Sequence, residues 1–180
     1  MAVASASATT PAAQATTPAV DLRGGVVDPL DHRHRGAATV LIFVDAECPV
    51  SNRAAPEIQR LVDEFTPRGV RLWLVYPNDT AQSIRRHLTD FRLTASPLSD
   101  LGRDLVRRTG VTVTPEAAVF DAEGQLRYRG RLDDRQLDLV HARPQARRRD
   151  LREAIAALLE GGIFESRTLP AVGCYIPPVP

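Results

Sequence analysis

One junction constrains this chain more than any other feature. The run Thr39-Val-Leu-Ile-Phe-Val44 is followed four residues later by Cys48-Pro49, and then by a long stretch of helical periodicity. A short continuous run of β-branched and aromatic residues is the pattern of a strand buried on both faces. From Pro49 to Phe65, Ile58, Leu61, Val62 and Phe65 recur at spacings of three and four, so one helical face packs on that strand. Pro49 falls at the first helical position, where its missing N–H costs nothing, and this makes Cys48 the N-cap. A sulfur there is expected to face unpaired backbone N–H groups and the positive end of the helix dipole, both of which favour thiolate. Asp45 and Glu47 oppose ionisation, whereas Arg53 and the Ser51 hydroxyl assist it. The competing reading of Cys48 is a buried, inert cysteine.

The remaining pattern supplies a sheet and its cover. Asp21 to Gly36 reads as a loop or short edge hairpin. Val70 to Tyr76 is a second buried strand, and Asp79 or Thr80 caps a helix carrying Ile84 and Leu88. Pro97 to Asp100 leads into a short helix with Leu101, Leu105 and Val106 inward, ended by Gly110. Ala117 to Asp121 and Gln125 to Arg131 form a hairpin around Gly124. A last helix spans Arg147 to Leu159, with Leu151, Ile155, Leu158 and Leu159 on one stripe before Gly161-Gly162. The order β-α-β-α-α-β-β-α implies a sheet covered by helices on both faces.

At 180 residues the chain has room for one ordinary domain plus tails. Its 23 basic and 22 acidic residues leave a net charge of +1, so no basic surplus points to nucleic acid. All the basic residues are arginine, which reflects genome composition better than phosphate binding. The longest apolar run, Thr39 to Val44, is far short of the ~18 residues a transmembrane helix needs. Residues 1–20 are rich in Ala, Ser, Thr and Pro and are expected to be disordered, either a linker behind a removed signal or a misplaced start. Two cysteines, Cys48 and Cys174, are too few for a disulfide-built scaffold or a cysteine zinc site.

The motifs together resemble the thioredoxin superfamily, and more closely its redoxin branch of alkyl-hydroperoxide-reductase and thiol-disulfide oxidoreductase families. Phe43-Val-Asp-Ala-Glu-Cys48-Pro-Val-Ser51 is similar to that fold's strand, active-site turn and helix, with Pro56 at the position of its helix-kinking proline. Gly110-Val-Thr-Val-Thr114-Pro115, followed by the hairpin, is similar to its second motif. The resemblance covers Gly36 to Leu159. It implies an α/β, thioredoxin-like three-layer sandwich with a central mixed sheet and helices on both faces. It also implies a cis Thr114-Pro115 bond beside Cys48, with the backbone before the proline pairing with a bound peptide or mixed disulfide. The domain is expected to span 21–162, followed by a C-terminal tail, 163–180, that carries Cys174.

The chain departs from the family pattern at three places. Ser51 stands where the usual second thiol of Cys-x-x-Cys would be and closes no disulfide. Asp45 replaces the Thr or Ser three residues before a peroxidatic cysteine, and Ile42 replaces the buried acid of thioredoxins. The segment Ala171-Val-Gly-Cys-Tyr-Ile176, together with Tyr128-Arg-Gly-Arg-Leu-Asp-Asp134, resembles a bacterial redoxin group with a cysteine near its C-terminus. On that resemblance Cys174 resolves a mixed disulfide on Cys48. The alternatives are a permanent bond that pins the tail and an unrelated free thiol.

The expected activity is therefore thiol-disulfide oxidoreductase, with Cys48 as nucleophile, Cys174 as resolving thiol, Thr114-Pro115 as substrate platform and Ser51 beside the sulfur. No bound cofactor is required. The oxidant is a protein or small-molecule disulfide, or peroxide, and the reductant is a thiol. The rival readings are a thiol-dependent peroxidase working through a Cys48 sulfenic acid and a redox-silent binding or copper-handling module. In the last case His32, His34, His87 or His141 would assist Cys48, although Asn52 occupies the place of a second loop cysteine. Asp133-Asp134 reads as a solvated turn and Arg147-Arg-Arg149 as a solvated lead-in to the last helix. No compartment is specified, and an oxidising one is compatible with the tail.

Overall fold

A computed structural model describes residues 19–161 and 167–177. It begins with a small antiparallel hairpin, β1 (Ala19–Val20) and β2 (Val26–Val27), at the sheet edge. There follow β3 (Ala38–Phe43), α1 (Pro49–Phe65) and a 3-10 turn over Thr66–Arg68. Next come β4 (Val70–Tyr76), α2 (Ala81–Phe91), β5 (Ser96–Ser99) and α3 (Asp104–Thr109). The chain ends with β6 (Val113–Thr114), β7 (Glu116–Asp121), β8 (Leu126–Gly130), α4 (Asp150–Leu159), β9 (Arg167–Thr168) and β10 (Cys174–Tyr175). The expectation of disorder over 1–20 falls outside the described residues except at Ala19 and Val20, as does Gly162.

Eight strands form one mixed sheet in the order β2-β1-β5-β4-β3-β7-β8-β9, and β6 and β10 form a separate two-stranded ladder. Strand β3 lies at the centre, parallel to β4 and antiparallel to β7. All six of its residues are buried. Alternation along it divides the core. Val40 and Ile42 meet Ile58, Leu61 and Phe65 of α1, Ile84 of α2, and Leu151 and Ile155 of α4. Leu41 and Phe43 meet Leu105 of α3, Leu98, Phe120 and Ile176 on the other face. The continuous apolar run thus serves two cores, which places its C-terminal end, and Cys48 just beyond, between them.

Local chemistry sets the element ends. Thr80 caps α2 by accepting the Ser83 N–H at 3.2 Å. Helix α1 stops through the 3-10 turn at Gly69, whose φ of 82° puts the chain in the left-handed region. The β7–β8 hairpin turns at Gly124 with φ 82°, held by the Gln125 N–H donated to Asp121 Oδ1 at 2.7 Å.

Three sequence expectations are corrected. Ser96–Ser99 is a strand, β5, pairing in parallel with β4. Its other neighbour reaches it only at Val20↔Ser99, so the missing N–H of Pro97 breaks no ladder bond on that side. Leu101 is not inward but 57% exposed. Helix α4 starts at Asp150 rather than Arg147, because Asp134 Oδ1 accepts the N–H groups of Arg147 and Arg148 at 2.7 and 3.0 Å and holds that stretch as a loop.

Candidate active site

Cys48 sits at the N-cap of α1 in extended conformation (φ −79°, ψ 113°), with Pro49 at the first helical position. The loop that presents it is braced from several sides. The Cys48 N–H donates to Asp45 O at 3.1 Å. The Asp45 carboxylate accepts the Glu47 N–H at 2.9 Å and the Asn78 amide at 2.6 Å. The Ala46 N–H donates to Asp79 Oδ2 at 3.2 Å, and Asp79 Oδ1 accepts the Ser83 hydroxyl at 3.0 Å. Burial raises the Asp79 carboxyl above its ordinary range. Behind the loop, Asn52 donates to Ala46 O at 3.1 Å, and its Oδ1 lies 3.0 Å from Nε2 of the buried His87. His87 Nδ1 lies 2.9 Å from the Tyr76 hydroxyl. Burial lowers the His87 pKa and so favours its neutral ring.

The sulfur does not fold back over the helix amides as the N-cap position alone suggested; no side-chain cap bond forms. Instead Cys48 is bonded to Cys174, with Cα atoms 6.1 Å apart across 126 residues of sequence. Cys48 Sγ lies 3.2 Å from Thr114 O. The Thr114-Pro115 bond is cis. Strand β10 pairs antiparallel with β6, in register Cys174↔Thr114 and Tyr175↔Val113. The ladder extends through the Ile176 N–H to Thr112 O at 2.9 Å, and Ile176 is buried in the second core. The tail is therefore anchored by a strand pair and an apolar side chain as well as by the disulfide.

Ser51 is fully buried, and its Oγ accepts the Asp45 N–H at 3.4 Å. It braces the loop from behind. Arg53 also turns away from the sulfur, donating from Nη2 to Leu139 O at 3.2 Å. Asp133-Asp134 is not a solvated turn: Asp134 is buried and pairs with Arg143, while burial raises the Asp133 carboxyl. Of the arginines that follow, Arg147 and Arg148 are exposed, as expected of a solvated lead-in, and Arg149 is the one turned inward. Arg149 forks onto buried Glu57 at 2.8 and 2.9 Å, and Arg148 reaches Asp150 at 3.2 Å. The four histidines are dispersed, with His32 beside Asp31, His34 edge-on to Trp73 and His141 on Asp138. Among the described residues no three His, Cys, Asp or Glu side chains are grouped to hold a metal, and no helix is long and apolar enough to cross a membrane.

Sequence reasoning missed the Asp79 and Asn52–His87 braces and the Ile176 anchor. Asn52 drew notice only as a position lacking a second thiol, and a lone isoleucine in a Pro-containing tail carries no periodic signal.

A cysteine at the N-terminus of the helix after the central strand, facing a cis-proline and bonded to a second cysteine, defines a thioredoxin-like protein with a redox function. The chain belongs to the AhpC/TSA family, whose profile matches residues 9–129. An uncharacterized conserved protein from Geobacillus kaustophilus is similar at a TM-score of 0.75 and 26% identity, covering 92% of this chain and 90% of that one. A hypothetical protein from Sinorhizobium meliloti gives a TM-score of 0.75 at 21% identity, with 88% of each chain covered. A secreted Mycobacterium tuberculosis disulfide oxidoreductase homologous to E. coli DsbE gives 0.53 at 20%, covering 62% of this chain and 80% of that one. The last two likenesses show the shared fold. No curated protein matches the chain.

Proposed function

We propose that the protein is a thiol-disulfide oxidoreductase in which Cys48 attacks and Cys174 resolves. The observation that carries this reading is the Cys48–Cys174 bond at the helix N-terminus, made by a tail strand paired with Thr114. In the reduced protein the Cys48 thiolate attacks a substrate disulfide, RSSR′, forming Cys48–S–S–R and releasing R′S⁻. The Cys174 thiolate then attacks Cys48 Sγ, closes the intramolecular bond and releases RS⁻. Two electrons have passed to the substrate, and a thiol reductant restores the dithiol. Thr114-Pro115 is the platform along which the tail strand lies, and Ser51 supports the loop.

Turnover of a small disulfide and of peroxide by the wild type, Cys48→Ser and Cys174→Ser tests the reading. It expects disulfide turnover by the wild type, none by Cys48→Ser, and a trapped mixed disulfide on Cys48 in Cys174→Ser. Turnover of peroxide alone would replace it with the peroxidase reading. Loss in Cys48→Ser only, with Cys174→Ser fully active, removes the resolving role.

A further inference from the structure

A groove runs beside the disulfide, lined by Val50 two residues beyond Cys48, by Pro115 and by Val172 two residues before Cys174. Its polar wall carries Arg53 and Arg135 together with Glu57 and Asp133. The carboxylates are already balanced or suppressed. Glu57 is held by Arg149 and Arg60, and burial disfavours charge on Asp133. Among the described residues, neither Arg53 nor Arg135 has a carboxylate within ion-pair distance, and Arg53 Nε is buried without a hydrogen-bond partner. Arg135, and the part of the Arg53 guanidinium not given to Leu139 O, lie on this groove wall, and paired guanidinium groups match a carboxylate.

We propose that this groove binds the carboxylate of a small thiol, and that this thiol is the reductant of the Cys48–Cys174 pair. The proposal rests on the oxidoreductase reading above and names its electron donor by class. A small molecule is favoured over a protein because the tail strand already occupies the β6 edge in the oxidised state. The attack falls on Cys174, which is half-buried, rather than on Cys48, which is 2% exposed. The donor thiolate bonds to Cys174 Sγ as the Cys48–Cys174 bond breaks, and Cys48 leaves as a thiolate at the N-terminus of α1, where the helix dipole favours it. A second donor thiolate attacks the donor sulfur of this mixed disulfide. It releases the donor disulfide and the Cys174 thiolate, so two donor thiols are oxidised for each protein disulfide reduced.

The test follows reduction of the oxidised full chain by 3-mercaptopropionate, 2-mercaptoethanol and cysteamine at equal thiolate concentration. Wild type is compared with Arg53→Gln/Arg135→Gln and with Arg86→Gln on the exposed face of α2. The expected result is 3-mercaptopropionate reacting about fivefold faster than cysteamine, the size of a near-surface charge contact in water. The preference collapses in the double variant, persists in Arg86→Gln, and is lost by the wild type at high salt. The salt arm stands even if the double variant fails to fold. Equal rates for all three thiols, or a preference that survives the double substitution, overturn the groove assignment while leaving the oxidoreductase reading intact. An acidic cysteine peptide is run alongside, and a preference that it alone shows overturns the small-thiol assignment. A pair that no thiol reduces overturns both.

Discussion

Gly173 packs against the Thr114 carbonyl so closely that a Cβ on residue 173 would lie well inside van der Waals contact with both Thr114 O and its carbon. This is the approach that lets β10 lie along β6 and brings Cys174 to Cys48. Gly173→Ala forces the strands apart. Overpacking of this kind costs roughly 1 to 3 kcal/mol, so the effective concentration of Cys174 at Cys48 falls about tenfold. The ratio of closed to glutathionylated protein in a glutathione buffer measures it. A ratio unchanged from wild type would show that the contact does not govern closure.

Ile176 is expected to hold Cys174 in place after reduction. Ile-to-Ala changes in cores cost about 2 to 5 kcal/mol; here the loss falls on a short tail that is free to undock. In reduced Ile176→Ala, the amides of Cys174 and residue 176, which face β6 in the ladder, lose exchange protection while those of β3 keep it. Equal protection in the reduced wild type and reduced variant would show that Ile176 does not hold the reduced tail.

The parts of this architecture legible in the sequence are those with strong local signals. Helix α1 has the expected bounds, Pro49–Phe65, because Pro49 starts it and the Ile58, Leu61, Phe65 stripe continues to its end. Strand β4 is likewise as expected, at Val70–Tyr76. What escaped depends on partners distant in the chain. Pro97 to Asp100 reads as the lead-in to a short helix, and only pairing with β4 makes Ser96–Ser99 a strand. Asp134 reads as solvated until it is seen to bind backbone N–H groups 13 and 14 residues on. The Cys48–Cys174 pairing was suggested by family resemblance alone, since nothing local relates cysteines 126 residues apart.

Glu57 and Glu64 provide a paired comparison on α1. Glu57 is 5% exposed at its side chain and held by Arg149 and Arg60, whereas Glu64 and Arg152 are 30% and 40% exposed. Glu57→Ala removes charged hydrogen bonds from a buried site and lowers stability by about 2 kcal/mol. Glu64→Ala costs less than about 1 kcal/mol because water screens the pair. Urea midpoints distinguish the two, and equal losses would contradict the burial argument.

His87 gives a pH dependence with a defined sign. It faces Tyr76, Asn52 and the Phe91 ring, with Asp45 and Asp90 acting in the opposite sense to burial. Its folded pKa lies below the ordinary 6.5, so on acidification the unfolded chain takes up the proton first. The stability contributed by the neutral ring is complete above 6.5 and is lost as pH falls toward the folded value. Asp79, raised by burial, acts in the other direction, losing stability as pH rises from 3.8. The wild-type minus His87→Gln difference in unfolding free energy isolates the histidine; it should shrink between about pH 7 and pH 5. A constant difference would show that His87 titrates alike in both states.

The central claim is that Cys48–Cys174 is a working redox pair and not a fixed staple of the tail, and its reduction potential tests this most directly. Protein equilibrated in graded thiol-disulfide buffers and then alkylated should show both cysteines becoming modified together, with a midpoint above about −300 mV, in the range of catalytic pairs. A pair that stays closed to potentials below about −300 mV would mark it as structural and contradict the account.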